Sequence, residues 1–370
     1  MAGSTFGNIF KITTWGESHG KGLGVVIDGC PAGIVLSEAD IQKFLDRRKP
    51  GQSKITTQRK EADEVEILSG VFEGRTTGTP ISMIVKNTSQ ISKDYSEIAS
   101  CYRPGHADYT FDAKYGFRDY RGGGRSSGRE TIGRVAAGAV ASLALEQLGI
   151  KVSAYTKSIH NIEINPENFD VSAILETPTC MPDRDASKKA EEYLAKCMEN
   201  MDSAGGVIEC IVKNVPAGIG DPVFEKLDAN LAKAIMSIGA VKAVEIGDGI
   251  QVAAANGSTN NDAFCMKDGK VSKKTNHAGG ILGGMSDGSD IVLRAYVKPT
   301  PSIFSSQETI NTDLEEIEIQ IKGRHDPIIV PRAVVVVEAM TAITILDALL
   351  LNMTAKMDNI KKFYDNCFDK

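Results

Sequence analysis

The spacing of apolar positions predicts a mixed chain of short strands and helices. Residues 6–15 and 23–28 are apolar runs of strand length, divided by the turn Gly16-Glu17-Ser18-His19-Gly20. After Pro31-Ala32-Gly33 the period changes. Ile41, Phe44 and Leu45 fall on one face of a helix over 38–48, and Ser37 with Asp40 forms its capping box. Pro50-Gly51 ends that helix. Residues 54–63 are polar and expected to be mobile, and strands are predicted at 65–68 and 81–85 around a Gly/Thr-rich connection. A long irregular stretch over 88–128, rich in aromatic and basic residues, has the length that inside a compact domain usually marks function. It leads into a small-residue helix at 135–148. The most apolar run, 333–351, contains Glu338 and Asp347, which would be costly in lipid but are tolerable with partners in a buried core helix. No membrane segment is expected.

The second half repeats the order of the first. Gly24-Val25-Val26-Ile27 followed by Pro31-Ala32-Gly33 and a capped helix is echoed by Gly206-Val207-Ile208-Glu209, then Pro216-Ala217-Gly218, then a helix expected to be capped by Asp221 with Pro222 in its first turn. Gly70 with Val85-Lys86-Asn87-Thr88 is answered by Gly283 with Val297-Lys298-Pro299-Thr300, and Gly124-Arg125 up to Arg134 by Gly323-Arg324 up to Arg332. Matches that keep their order point to an α+β chain with an internal pseudo-duplication, one domain over 1–370 whose halves, roughly 1–190 and 191–370, share a core. A ligand between the halves would touch both Gly-Arg turns.

With 370 residues, 42% of them hydrophobic, the chain can bury a sizeable core. A net charge of −6 gives no global field for nucleic acid. The basic residues are local, concentrated at 43–60 and 103–134, which suits a small polyanion better than a polymer. Seven cysteines without CxxC spacing argue against a disulfide framework and a zinc site, and fit a reducing cytoplasm. No signal-peptide hydrophobic region is read in residues 1–15.

The chemistry concentrates in the stretch Tyr120 to Arg134. Gly122-Gly123-Gly124 lets the backbone approach a ligand, and Arg125, Ser126, Ser127 and Arg129 follow just ahead of a helix, where N–H groups and guanidinium forks favour phosphate. A surface loop or an RGG-type RNA-binding tail is the alternative, but such tails are repetitive and poor in apolar residues. Of five histidines, His19, His106 and His325 lie in Gly- or Arg-rich turns, where they can serve as general acids; His160 and His277 have no such setting. Asp326, held extended before Pro327 and near arginines, is read as an ionised acceptor or base. Gly16-Glu17-Ser18-His19-Gly20 formally matches a nucleophile elbow, which would make Ser18 a serine-hydrolase nucleophile, yet a strand rather than a helix follows it. No Walker A pattern is present, and Gly22-x-Gly24 lacks a third glycine at Ile27. From these residues an anion-handling acid/base enzyme follows, with a non-catalytic cofactor- or RNA-binding protein as the other class.

The same residues resemble the chorismate synthase family. Its three signature regions are similar to Gly16 to Gly20, Gly124 to Thr131, and Arg324-His325-Asp326-Pro327 through Glu338; Arg103 to Asp108, Gly239 to Lys242, Asn276 to Ser286 and Lys298 to Ser302 match between them. The resemblance implies a β-α-β sandwich of two antiparallel sheets enclosing helices, assembled as a cytoplasmic homotetramer. It implies a trans-1,4-elimination of phosphate from 5-enolpyruvylshikimate 3-phosphate to chorismate, a lyase reaction of aromatic amino acid biosynthesis that needs reduced FMN without net redox.

Carried over by position, His19 protonates the departing phosphate, His106 keeps the proton balance of the reduced flavin, and Asp326 takes part with flavin N5 in removing the C6 proton. Flavin contacts fall on Arg125, Ser126, Ser127, Gly239, Ala240, Gly283, Lys298, Pro299, Thr300, Pro301, Ser302 and Arg324. Substrate contacts fall on Arg48, Lys54 and Arg129, with Lys54 standing where the family has an arginine. Positions 48 and 54 are also describable as NADPH contacts in the bifunctional members; the compact length favours the monofunctional kind, which relies on an external flavin reductant. No metal is expected. Met181 replaces a family cysteine before Pro182-Asp183, and Gly128 replaces a family alanine, a small-for-small change.

Overall fold

A computed structural model describes residues 3–49, 51, 62–87, 98–321 and 326–368, the last three by backbone only. Lys54, Arg324, His325 and most of the polar stretch over 54–63 lie outside the described residues. In chain order the first half holds β1 (Thr5–Phe6), β2 (Lys11–Gly16), β3 (Gly22–Asp28), α1 (Glu38–Arg48), β4 (Val65–Ile67), the hairpin β5 (Val71–Phe72) and β6 (Arg75–Thr76), β7 (Ile81–Lys86), α2 (Asp108–Tyr115) and α3 (Thr131–Gln147). The second holds β8 (Lys151–Ile159), β9 (Ile162–Glu163), α4 (Ala173–Glu176), α5 (Arg184–Glu199), β10 (Gly206–Lys213), α6 (Leu227–Met236), β11 (Val241–Ile246) and α7 (Gly257–Asn260). There follow the hairpins β12 (Phe264–Lys267) with β13 (Lys270–Lys273) and β14 (Ile281–Leu282) with β15 (Met285–Ser286), then β16 (Ile291–Val297), α8 (Val330–Asn352) and α9 (Met357–Phe368).

Two antiparallel five-stranded sheets carry the fold, in the orders β1-β2-β3-β7-β4 and β11-β16-β10-β8-β9. Their registers run in step. Gly22 pairs Lys86 and Ile27 pairs Ile81 in the first sheet, while Val207 pairs Tyr296 and Val212 pairs Ile291 in the second, each partner displaced by a constant 185 or 210 residues. Helix α3 packs on β2, β3 and β7, α8 packs on β8 and β10, and the two helices pack on each other. The capping expectation for α1 is met: Ser37 Oγ accepts the Asp40 N–H at 3.4 Å and donates to Asp40 Oδ2 at 2.7 Å.

Small residues set how closely α3 and α8 approach. A Cβ placed on Gly138 would lie 2.2 Å from Ala339 Cβ, so only glycine fits the crossing. Most of α8 is buried, and its two acids have partners. Glu338 holds Arg47 in a bidentate pair at 2.7 and 2.9 Å and accepts the Ala154 N–H. Asp347 accepts the backbone N–H groups of Asn8, Ile9 and Phe10 at 2.9, 2.7 and 2.9 Å. Helix α8 is the one described helix long and apolar enough to cross a membrane, and 78% of its most apolar window is buried inside the molecule.

The structure departs from the pattern reading at three points. The strand expected over 6–15 is divided into β1 and β2, because residues 8–10 give their N–H groups to Asp347 instead of to a neighbouring strand. The helix expected at Asp221-Pro222 begins instead at Leu227, without a side-chain cap, after the backbone turns through positive φ at Gly220 and Val223. The stretch over 88–128, whose first ten residues are outside those described, contains the short helix α2.

The Gly138→Ala variant is expected to lower stability by about 1–3 kcal/mol, the usual cost of overpacking a close contact. Urea unfolding checks this; an unchanged midpoint would show that the α3 and α8 crossing has room to spare.

Candidate active site

Two clusters of polar residues are built on the loops that leave the sheets. The first lies where the Gly16 to Gly20 turn meets the glycine-rich turn before α3. Gly122, at φ +65°, seats the His19 ring: a Cβ there would fall 2.4 Å from His19 Cε1. Ser18 Oγ donates to the Gly122 carbonyl at 3.3 Å and lies 3.1 Å from His19 Nδ1. The one hydroxyl proton goes to a group that can only accept, so Nδ1 carries the proton of that contact. The same geometry argues against Ser18 as a nucleophile, since its proton is not directed at a base.

Arg129 hangs beside this turn. Its Nε and Nη2 donate to Asn87 Oδ1 at 3.1 and 2.9 Å, and Asn87 Nδ2 donates to the carbonyls of Glu17 and Gly20 at 3.0 and 2.9 Å. Asn87 therefore ties the His19 turn to the arginine. Arg129 Nη1 lies 3.2 Å from Asp63 Oδ1, and Asp63 Oδ2 accepts Arg48 Nη2 at 2.8 Å. Arg48 is a core residue at 2% exposure whose Nη1 donates to Gly128 O and Thr131 Oγ1, both at 3.2 Å. Burial lowers its proton affinity, and Asp63 opposes that loss. Arg125, expected to grip phosphate, is turned onto β2, donating to Thr14 O, Thr14 Oγ1 and Gly16 O at 3.2, 2.7 and 3.1 Å. Ser126 Oγ donates to Gly123 O, and Ser127 Oγ accepts the Arg129 N–H.

The second cluster joins the halves of the chain. His106 Nδ1 is 2.9 Å from the Pro104 carbonyl, which can only accept, so the proton sits on Nδ1 and Nε2 accepts from Ser302 Oγ at 2.9 Å. Burial, with Arg103 nearby, pulls the His106 pKa down to about 4 and keeps the ring neutral. Arg103 is itself locked to Asp108 by bonds of 2.7 Å from Nε and Nη2. Lys298 Nζ donates to Gly105 O at 2.8 Å, and its proton affinity is lowered first by burial and then by Lys242. Ala240, whose carbonyl accepts the Lys298 N–H at 3.0 Å, holds φ +72°, a backbone setting that non-glycine residues keep only where surroundings impose it. Thr300 Oγ1 is buried with no hydrogen-bond partner among the described residues.

Asp326 bridges the two clusters. Its Oδ2 accepts Arg332 Nη1 at 2.5 Å, and Arg332 Nε donates to the main-chain carbonyl of Arg48 at 3.0 Å. On the other side the Pro327 carbonyl accepts the Ala204 N–H at 2.9 Å, and Ser203 Oγ donates to Thr300 O at 2.7 Å. A path of hydrogen bonds and chain bonds thus runs from Arg48 through Asp326 and Pro327 to the loop carrying Ser302.

Comparison with known proteins decides the family. The family model described as chorismate synthase matches residues 10–350. The chain belongs to the chorismate synthase family. A chorismate synthase of Agathobacter rectalis is 70% identical over 98% of this chain and 99% of its own, and one of Methanosarcina mazei is 56% identical over 95% and 97%. A crystal structure of chorismate synthase superposes with a TM-score of 0.76 at 32% identity, covering 98% of each chain.

Of the residues singled out from the sequence, the structure brings His19 and Arg129 to one corner and His106, Lys298, Ser302 and Ala240 to the other, with Asp326 between. Arg48 stands behind Arg129 in the core, and Gly239 adjoins Ala240. Gly283 follows β14, and Pro299 and Pro301 flank Thr300. His277 pairs with Asp248 at 2.6 Å, and His160 stacks on Tyr193. Asp63, Asn87, Ser203 and Arg332 escaped the sequence reading as site residues. Asn87 and Arg332 sit inside segments that the internal repeat had flagged; Asp63 and Ser203 carry no motif at all.

The depressed His106 pKa gives a pH signature. Between its ordinary value of 6.5 and about 4, the unfolded chain takes up a proton that the folded ring refuses, so this contribution is present above pH ~6.5 and is lost as pH falls. From pH ~7 to ~5 the wild type should lose about 2 kcal/mol more stability than His106→Asn. Equal losses in urea unfolding of the two proteins would show that the buried ring is not neutral.

Proposed function

We propose that this chain converts 5-enolpyruvylshikimate 3-phosphate to chorismate by trans-1,4-elimination of phosphate, as a monofunctional lyase of aromatic amino acid biosynthesis, with reduced FMN as cofactor. The observation that carries the reading is the pair of cationic corners joined by Asp326: a guanidinium corner suited to phosphate beside His19, and a lysine-lined corner beside His106. The second corner fits a flavin. Thr300 Oγ1 waits buried without a partner, Ser302 and Lys298 converge on the same loop, and Lys242 beside Lys298 supplies a second positive charge for the flavin phosphate. Reduced FMN, when bound, supplies electron density to the allylic centre as phosphate departs, which explains a redox cofactor in a redox-neutral reaction.

The protein's own groups would do the rest. Arg129 receives the phosphate, with Lys54 assigned to the same anion. His19, with Nδ1 held by Ser18, protonates the leaving group from Nε2 when the ring is imidazolium. Asp326, aimed by Arg332, takes part in removing the C6 proton. His106, neutral at rest with Nε2 as acceptor, takes and returns the proton that balances the flavin. Arg125, Ser126, Ser127, Gly239, Ala240, Gly283, Pro299, Pro301 and Arg324 are assigned to the flavin side, Arg125 acting through the β2 carbonyls that it holds.

The architecture that goes with this reading is a β-α-β sandwich in which the two sheets enclose α3 and α8, one domain built from a duplicated unit. Beyond the sheet registers, the turns support it. Thr76 Oγ1 donates to Pro31 O at 2.7 Å and accepts the Ile34 N–H at 3.0 Å; Ser286 Oγ donates to Pro216 O at 2.6 Å and accepts the Ile219 N–H at 2.9 Å. These contacts put Gly70 in correspondence with Gly280 rather than Gly283, since their carbonyls accept from Thr77 and Asp287 respectively. A cytoplasmic homotetramer completes the proposal, and Phe224 at 88% and Phe264 at 63% exposure are apolar surface that such an assembly would cover.

Under anaerobic conditions the protein with dithionite-reduced FMN should release chorismate and phosphate in equal amounts, and NADPH with oxidised FMN should not substitute. His19→Ala and His106→Ala should each lower turnover about 10²-fold or more with the fold retained by circular dichroism. Wild-type turnover in both variants would remove the assigned roles, and activity with NADPH alone would make the enzyme bifunctional.

A further inference from the structure

The arginine corner is organised around a carboxylate that belongs to no motif. Asp63 lies two residues before β4 with its side chain at 0% exposure and its backbone at φ +47°, in the left-handed region. Non-glycine residues hold that region uncommonly, and asparagine and aspartate hold it best. Helix α1 fixes the segment from behind: Gln42 Nε2 donates to the Asp63 carbonyl at 3.3 Å, and Gln42 Oε1 accepts the Val65 N–H at 3.2 Å. The carboxylate then meets both guanidiniums, accepting a hydrogen bond from Arg48 at 2.8 Å and forming an ion pair with Arg129 at 3.2 Å.

The two arginines differ in what they can do. Arg48 has a side chain at 2% exposure and is spent on Asp63, Gly128 and Thr131, so it offers charge from behind rather than a surface for a ligand. Arg129, at 12% side-chain exposure, is the more exposed of the two. We infer that Asp63 is a positioning residue for substrate binding: it holds the Arg129 fork, with Arg48 behind it, in the orientation that receives the anionic group. The competing idea is that Asp63 occupies the place of that group and steps aside. Its full burial and pinned backbone oppose this, because a carboxylate that left would strand Arg48 in the core without its counter-charge. The inference rests on the assignment of Arg129 to substrate phosphate.

Asp63→Asn keeps the shape and removes the charge. Calorimetric titration of the flavin-free protein with 5-enolpyruvylshikimate 3-phosphate should show Kd raised about tenfold, and steady-state KM should rise alike while kcat stays within about threefold. Flavin affinity, read by fluorescence quenching, should not move. Combined with Arg129→Lys, the second change should add little, as expected of groups acting through one another. Unchanged or tighter substrate binding by Asp63→Asn overturns the inference, the tighter result favouring the displaced-carboxylate idea. If Asp63→Asn does not fold, Gln42→Ala loosens the same segment without touching the arginines; a raised Kd supports the inference and an unchanged one overturns it. A wild type that binds substrate but makes no chorismate would sink the functional reading alone, leaving the Kd comparison intact.

Discussion

A charged guanidinium in the core is the constraint on which the rest of the site depends. Arg48 ends α1, yet its side chain is among the largest fully buried ones, and its atoms reach the segment before β4, the turn that starts α3 and, through its carbonyl, Arg332 near the start of α8. Removing one partner of such a pair typically costs about 3–5 kcal/mol, because the other charge is left without compensation. The same contacts that neutralise Arg48 therefore fix the relative positions of Asp63, the Gly128 to Thr131 turn and Arg332. The arginine corner of the candidate site is thereby assembled around one buried charge, which steadies the loops that carry it.

The two histidines are set for different work by their nearest acceptors. Both rings have one nitrogen fixed by a local oxygen: a hydroxyl from Ser18 for His19 and a carbonyl from Pro104 for His106. Burial and Arg103 keep His106 neutral against the opposing pull of the Pro104 carbonyl, so its other nitrogen is an acceptor facing Ser302. His19 sits instead beside Asp119, which lies close enough for its carboxylate to feel the ring. Two rings of one chemical type thus stand in different electrostatic surroundings, His106 among cations and His19 beside a carboxylate.

How much of this was legible in the sequence depended on whether the cause was local. Helix α1 was readable because its stripe and its Ser37 cap lie within a dozen residues, and α8 because only burial reconciles its apolarity with Glu338 and Asp347. Helix α2 was not, since its one buried residue is the polar Asp108 and no apolar period announces it. The break between β1 and β2 is imposed by Asp347, more than 330 residues away. The site divides the same way. His19, His106 and Asp326 stand in motifs whose resemblance to a known family names them, whereas Asp63 acquires its meaning only when Arg48 and Arg129 arrive from different elements. Arg125 shows what local reading leaves out: a guanidinium after three glycines reads as a phosphate grip, and only the fold shows it donating to the carbonyls of β2.

The correspondence between the sheets gives that hidden residue a context. Strand β4 enters the first sheet as β11 enters the second, with Val65 opposite Val85 and Val244 opposite Ala295, so the residues just ahead of each edge strand occupy comparable places. Both places hold a non-glycine residue at positive φ, Asp63 at +47° and Ala240 at +72°. Backbone strain of this kind persists only where the surroundings over-determine it. In one half the strained residue projects a carboxylate onto two arginines; in the other a small side chain leaves space beside Lys298.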